Sequence, residues 1–208
     1  LVRARMEEHG VRGRDDLASL FARRIDASLA AELGGGMRLG QIAPEVQRAE
    51  MAFHIAIPLL NLAAFGRVCA DHGYPDLLPD HASRRELRGF LTGKIDLVFE
   101  HGDRVHVLDY KSNWIGDAVT DYQGESIDEA MRSHAYDFQA LLYVLAVDRY
   151  LQQRKQDYSR ERDLGDVIYL FVRAAGIADG AGVWRHRFPM TLIAELETLF
   201  DGGVGAHA

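Results

Sequence analysis

Apolar residues recur at helical spacing early in the chain: Leu17, Leu20, Phe21, Ile25, Leu29 and Leu33, followed by Gly34-Gly35-Gly36. This predicts an amphipathic helix that the glycines stop. From Gln47 to Ile57 the period changes to two. Ala49, Met51, Phe53, Ile55 and Ile57 alternate with Arg48, Glu50 and His54 as in a half-buried strand, which Pro58 is expected to end. Residues 66–83 hold Gly73, Pro75 and Pro79 and predict a loop that can include a short helix. Strands are predicted near 86–99 and 104–111. Ser126 followed by Glu129 is a capping-box pattern, predicting one long helix to about Gln153. The continuous apolar run Val167 to Val172 suits a central strand, and Thr191 to Phe200 a final helix. No internal repeat is evident, and the tail Gly202-Gly203-Val204-Gly205 is expected to be disordered.

The two middle strands carry the chemistry. They read Gly93-Lys94-Ile95-Asp96-Leu97-Val98-Phe99 and Val107-Leu108-Asp109-Tyr110-Lys111-Ser112-Asn113. Alternation puts Asp109 and Lys111 on the face of Val105 and Val107, with Leu108 and Tyr110 on the other. The connection Glu100-His101-Gly102-Asp103-Arg104 supplies turn residues, as a two-residue turn at Gly102-Asp103 or a four-residue loop from His101 to Arg104. Asp96 then faces Asp109, with Cβ atoms roughly 5 Å apart. Two carboxylates that close repel unless a cation lies between them, and oxygen donors suit Mg²⁺ or Mn²⁺ better than zinc.

Composition narrows the setting. The chain has 208 residues, 48% of them hydrophobic, enough for one sizeable core. It opens on Leu1 with no signal-like apolar run, and is expected to be a segment of something longer. No stretch approaches a membrane span. A single cysteine, Cys69, excludes an internal disulfide, suits a reducing cytoplasm and is expected to be a small core hydrophobe. The net charge of −7 is unusual for a protein that grips DNA alone, although Arg84, Arg85, Arg88 and Lys94 lie just before Asp96.

Gly-x-x-Asp, then Asp109-Tyr110-Lys111-Ser112-Asn113-Trp114, then Gln139 and Tyr143 on a helix, and Val167-Ile168-Tyr169-Leu170-Phe171, resemble in order and spacing the C-terminal nuclease domain of the RecB subunit of RecBCD-type exonucleases. That domain lies within the PD-(D/E)xK nuclease superfamily, with Asp109-Tyr110-Lys111 here as the (D/E)xK element. The resemblance covers about Glu50 to Phe200. It implies an α/β, restriction-endonuclease-like core with a central mixed sheet flanked by helices. The expected layout is a helical segment over 1–45, the nuclease core over 46–201 and a flexible tail over 202–208.

The resemblance also implies roles. Asp96 and Asp109 ligate Mg²⁺, with Mn²⁺ as a substitute, joined by the main-chain carbonyl of Tyr110. Lys111 orients or deprotonates water and stabilises charge on the phosphate. Gln139 and Tyr143 hold the substrate backbone or the catalytic hairpin, and Glu50 is an auxiliary residue near the centre. Tyr136 shares the Gln139 and Tyr143 face with a weaker case, and His54 is expected to be structural. The family also uses a histidine on an upstream helix as a metal ligand. His9 does not match that setting, so the helix is expected to lie outside this chain. DNA is the implied substrate, with the helicase region of the same polypeptide and RecC/RecD-type subunits as partners in the cytoplasm. The alternatives are a silent docking module and a hydrolase of small phosphoesters. No Gly-x-x-x-x-Gly-Lys-Ser/Thr, His-x-His or His-Glu-x-x-His pattern brings other chemistry, so ATP hydrolysis is not expected here.

Overall fold

The computed structural model describes residues 1–78 and 86–200. Five strands form one sheet in sequence order: β1 (Gln47–Asn61), β2 (Glu86–His101), β3 (Arg104–Lys111), β4 (Leu164–Phe171) and β5 (Val183–His186). Neighbours are antiparallel except β3 and β4, which run parallel and make the sheet mixed. A parallel pair needs a crossover, and here helices supply it. The helices are α1 (Val2–Glu8), α2 (Asp15–Ala30), α3 (Leu62–Asp71), α4 (Gly124–Ser133), α5 (Tyr136–Arg154), α6 (Arg160–Asp163) and α7 (Met190–Phe200).

The β2–β3 turn takes the two-residue form. His101 pairs with Arg104, and Gly102 and Asp103 both have positive φ, 58° and 62°. This type I′ geometry matches the right-handed twist of the strands, and it fixes the register of everything beyond it. β4 is buried at all eight positions, as a central strand flanked on both faces must be.

One face of the sheet carries the larger core. Val105, Val107, Val167, Tyr169 and Phe171 pack there with Leu141, Val144 and Leu145 of α5, Leu192 and Leu196 of α7, and Phe65 of α3. The opposite face is a smaller cluster of Leu97, Phe99, Leu108, Ile168 and Leu170 under Leu33, Met37, Leu39 and Ile42. Cys69 lies in the larger core, where burial pushes its thiol up to about 12 and leaves it inert.

Three expectations are corrected and one is refined. β1 runs through Pro58 to Asn61, because the pairing register shifts between Ile57 and Leu60 and an edge strand with a bulge tolerates a proline. The short helix allowed within 66–83 is the end of α3, which starts earlier, at Leu62; Asn61 caps it by accepting from the Ala64 amide at 3.0 Å. The long helix is two, α4 and α5, divided at Ala135, whose φ is 53°. Ser126 caps neither, since α4 already starts at Gly124. α2 ends at Ala30, so Leu33 enters the core from the following loop, while Leu20, Phe21, Ile25 and Leu29 stay 41–48% exposed. The expected behaviour of Arg84, Arg85 and the 202–208 tail concerns positions outside the described residues. Among the described residues, no helix is long and apolar enough to cross a membrane.

A buried histidine, His106, and a half-buried one, His186, make stability pH-dependent. Burial holds His106 and His186 below their ordinary 6.5, against the opposing pull of Asp166. The His106 ring is pinned, with Nδ1 accepting from the Asp166 amide at 3.0 Å. Near pH 6.5 the unfolded chain takes up protons that the folded chain refuses. The stabilisation from this pair is therefore complete above 6.5 and lost as pH falls through the depressed folded values. Melting temperature is expected to fall as pH drops below about 6.5, and ring-carbon shifts should show His106 titrating below an ordinary histidine. Ordinary titration of His106 would contradict this.

Candidate active site

The site forms where β3 leaves its antiparallel pairing with β2. The last paired positions are Leu97 and Leu108, so Asp96 and Asp109 are next in register. Here the Asp96 carboxylate accepts the Tyr110 amide at 2.9 Å, tying the diverging strands by a side chain. Alternation along β2 breaks at this residue. Ile95 and Val98 both join the larger core, while Leu97 joins the opposite one. Across on β1, Glu50 falls between the paired positions Ala49–Leu97 and Met51–Ile95 and has a left-handed φ of 53°. Such irregularities re-aim side chains, and this one sits beside the acidic pair.

Asp109 is 4% exposed and lies 2.7 Å from Lys111 Nζ through Oδ2. Burial raises the Asp109 pKa, Lys111 pulls it back, and the charge of Asp96 pushes it up again. The carboxylate is thus held under electrostatic tension. Lys111 pairs with Asp109 alone while the charge of Asp96 lies close by, and a further cation would relieve the excess. Among the described residues, no third His, Cys, Asp or Glu joins them in a metal-binding group. The donor set is therefore two carboxylates with neighbouring main-chain oxygens, which fits a hard divalent ion that keeps part of its water shell.

α5 frames the lysine. Gln139 Oε1 accepts from Lys111 Nζ at 2.9 Å and from the Tyr169 hydroxyl at 2.9 Å. Tyr169 lies beside Asp109 in the parallel β3–β4 pairing and is fully buried. Tyr143 donates to the Lys94 carbonyl at 3.1 Å, holding β2 from above. Its own pKa is raised, first by burial and then by Asp109 and Asp96. Gly93 makes room beside it: an added Cβ would stand 2.5 Å from the Phe53 ring, which meets Tyr143 edge-on.

Asp96, Asp109, Lys111, Gln139 and Tyr143 thus converge, with the contacts of Gln139 and Tyr143 falling on the hairpin. Glu50 stands at the rim, where its exposed carboxylate pairs with Lys94 at 2.9 Å. The Tyr110 side chain, 42% exposed, is on the opposite face with Leu20 and Ile25 of α2. His54 and His9 are exposed and stay outside the cluster. Tyr169 and Asn113 were legible only as members of motifs. The signal for Tyr169 was a hydroxyl inside an otherwise apolar run, which a buried strand retains only with a partner.

A family model described as the PD-(D/E)XK nuclease superfamily matches residues 8–200. The chain belongs to the PD-(D/E)XK nuclease superfamily. Its curated relatives include RecBCD enzyme subunit RecB of Escherichia coli, 37% identical over 188 residues, or 86% of this chain and 15% of the relative. RecB of Haemophilus influenzae is 36% identical over 167 residues, 79% of this chain and 14% of the relative. RecB of Mycobacterium tuberculosis strain H37Rv is 40% identical over 163 residues, 70% of this chain and 15% of the relative. The chain therefore spans about 15% of the length of the curated relatives it matches. This PD-(D/E)XK domain is RecB-like in sequence, and neither the family match nor the relatives favour a silent docking module.

Proposed function

We propose that this domain hydrolyses DNA phosphodiester bonds with a divalent cation, Mg²⁺ by preference and Mn²⁺ as a substitute, within a RecBCD-type helicase–nuclease that processes double-strand breaks. The observation that carries this is the buried Asp109–Lys111 pair at 2.7 Å, set beside Asp96 on the adjoining strand. Asp96, Asp109 and the Tyr110 carbonyl are the groups assigned to hold the ion. The chemistry such an ion supplies when bound is Lewis-acid polarisation of the phosphodiester and a lower pKa for water. Lys111 Nζ, held by Asp109 and Gln139, carries the positive charge that stabilises charge developing on a phosphate oxygen. Gln139 and Tyr143 fix the hairpin against α5, and Glu50 with Lys94 tunes charge at the rim.

The net charge of −7 favours delivery of DNA by other parts of the assembly. Exposed Arg88 and Lys94 on β2 are the local basic contribution. The helicase region of the same polypeptide and RecC/RecD-type subunits are the partners assigned to that delivery, in the cytoplasm. Residues 46–201 are assigned to the catalytic core, 1–45 to a helical extension and 202–208 to a tail.

Cleavage of linear single-stranded and duplex DNA with Mg²⁺ tests the assignment. Lys111→Ala is expected to lower the rate about a hundredfold or more, the scale of losing one charge-stabilising donor. Calcium, larger and more loosely coordinated, is expected to bind the same site without supporting turnover. Unchanged cleavage by Lys111→Ala would remove the lysine from the mechanism.

A further inference from the structure

Lys111 is held on a third side by an aromatic ring. Its Nζ lies 3.7 Å from the centroid of Tyr136 and 4.9 Å from that of Tyr169. The Tyr136 ring is itself fixed. Its hydroxyl donates to Asn113 Oδ1 at 3.1 Å, its face stacks on His134 at 5.1 Å, and it leans on Tyr169 at 5.9 Å. The left-handed Ala135 that divides α4 from α5 puts Tyr136 at the first position of α5.

We propose that Tyr136 is a positioning residue for Lys111, its ring face seating the ammonium and Asn113 fixing the ring. This rests on the assignment of Lys111 to phosphodiester cleavage. A lysine stem has four rotatable bonds, and two hydrogen-bond partners leave Nζ free to swing about them. The ring closes that freedom. An aromatic face attracts a cation through its quadrupole without carrying a full negative charge. A third carboxylate in its place would repel an incoming phosphate, and Asp109 is already shared with the assigned cation site. The ring is therefore a restraint on Nζ that does not compete for substrate. Asn113 acquires a purpose in the same way: two residues beyond Lys111, it ties the end of the motif to the start of α5.

The test separates ring from hydroxyl and position from activity. The chain has three lysines, Lys94, Lys111 and Lys155, so ¹³C-lysine labelling gives a readable spectrum. The Lys111 Cε protons should lie upfield of the other two through the ring current of Tyr136. Tyr136→Phe should keep that shift and Tyr136→Leu should lose most of it, leaving the smaller part due to Tyr169, with Lys94 and Lys155 unmoved as evidence of an intact fold. In DNA cleavage, Tyr136→Leu is expected to lower kcat on the order of tenfold to a hundredfold with little change in KM. Tyr136→Phe and Asn113→Ala should each cost about threefold, and the double variant no more than either alone, because both remove one hydrogen bond. An unshifted Lys111 signal in wild type, or one unmoved by Tyr136→Leu, overturns the proposal whether or not the chain cuts DNA. A Phe variant as impaired as Leu, or a raised KM at unchanged kcat, overturns it as well. Failure of wild type to cut, with the ring-current shift present, would count against the nuclease assignment and leave the seating of Lys111 upheld.

Discussion

Asp109→Ala is expected to reduce DNA cleavage by about three orders of magnitude or more, the largest loss for any single substitution here. Two effects combine. One of the two clustered carboxylates is lost, and Lys111, only 11% exposed at its side chain, loses its partner at 2.7 Å. Asp109→Asn keeps the shape and isolates the charge. Because burial raises the Asp109 pKa in spite of Lys111, its ionised form is disfavoured by the fold. The sign follows: the penalty is present above the folded pKa and relieved below it, while a neutral amide at this position also leaves the buried Lys111 without its counter-charge. The Asn variant is expected to be inactive. Added Mg²⁺ should raise the melting temperature of wild type and leave the variant unmoved, since an ion stabilises only the state that binds it. Equal cleavage by wild type and Asp109→Ala would sink the nuclease assignment.

The second large effect concerns folding. Asp148 on α5 is fully buried and accepts from Arg160 at 2.8–3.0 Å, from the Tyr158 hydroxyl at 2.6 Å and from Gln152 at 2.6 Å. This cluster ties the end of α5 to α6, directly before β4 enters the centre of the sheet. Asp148→Ala would leave the Arg160 guanidinium, 26% exposed at its side chain, without its counter-charge and the Tyr158 hydroxyl without its acceptor. Breaking a buried pair from one side costs about 3–5 kcal/mol, which for a chain of this size is a fall in Tm of roughly 10 °C or more. Thermal unfolding followed by circular dichroism checks it, and a shift of only a degree or two would contradict the assignment of Asp148 as a structural hub. The contrast with Asp109 is informative. Both are buried acids beside a cation, yet one is saturated with donors and the other is not.

Much of the hairpin was legible from local rules. Gly102-Asp103 supplies two residues tolerant of positive φ, and period-two alternation on either side sets which face each side chain takes. Once the turn is fixed, the Asp96–Asp109 juxtaposition follows by counting. The break at Ala135 was not legible. Alanine is the best helix former and Ser126-x-x-Glu129 imitates a start, so local preference argued for one continuous helix. The fold overrides it, paying the strain of a left-handed alanine to turn Tyr136 toward Asn113 and Lys111. α2 shows the reverse case. Its helical spacing was readable, but spacing says nothing about what covers the stripe, and in this structure much of it faces outward.

By itself, then, the sequence determined the strands β2, β3 and β4, the β2–β3 register and the identity of the paired acids and lysine, because these depend on periodicity and turn stereochemistry within a few residues; it missed β5 and the end of β1. Only the tertiary structure decided that Gln139 meets Lys111, that Tyr143 holds the Lys94 carbonyl, and that the ring of Tyr136 seats the ammonium. Those contacts join β2, β3 and α5 across 25 to 49 residues of chain. Contacts of that span are fixed by how the helix packs on the sheet, which no local pattern encodes.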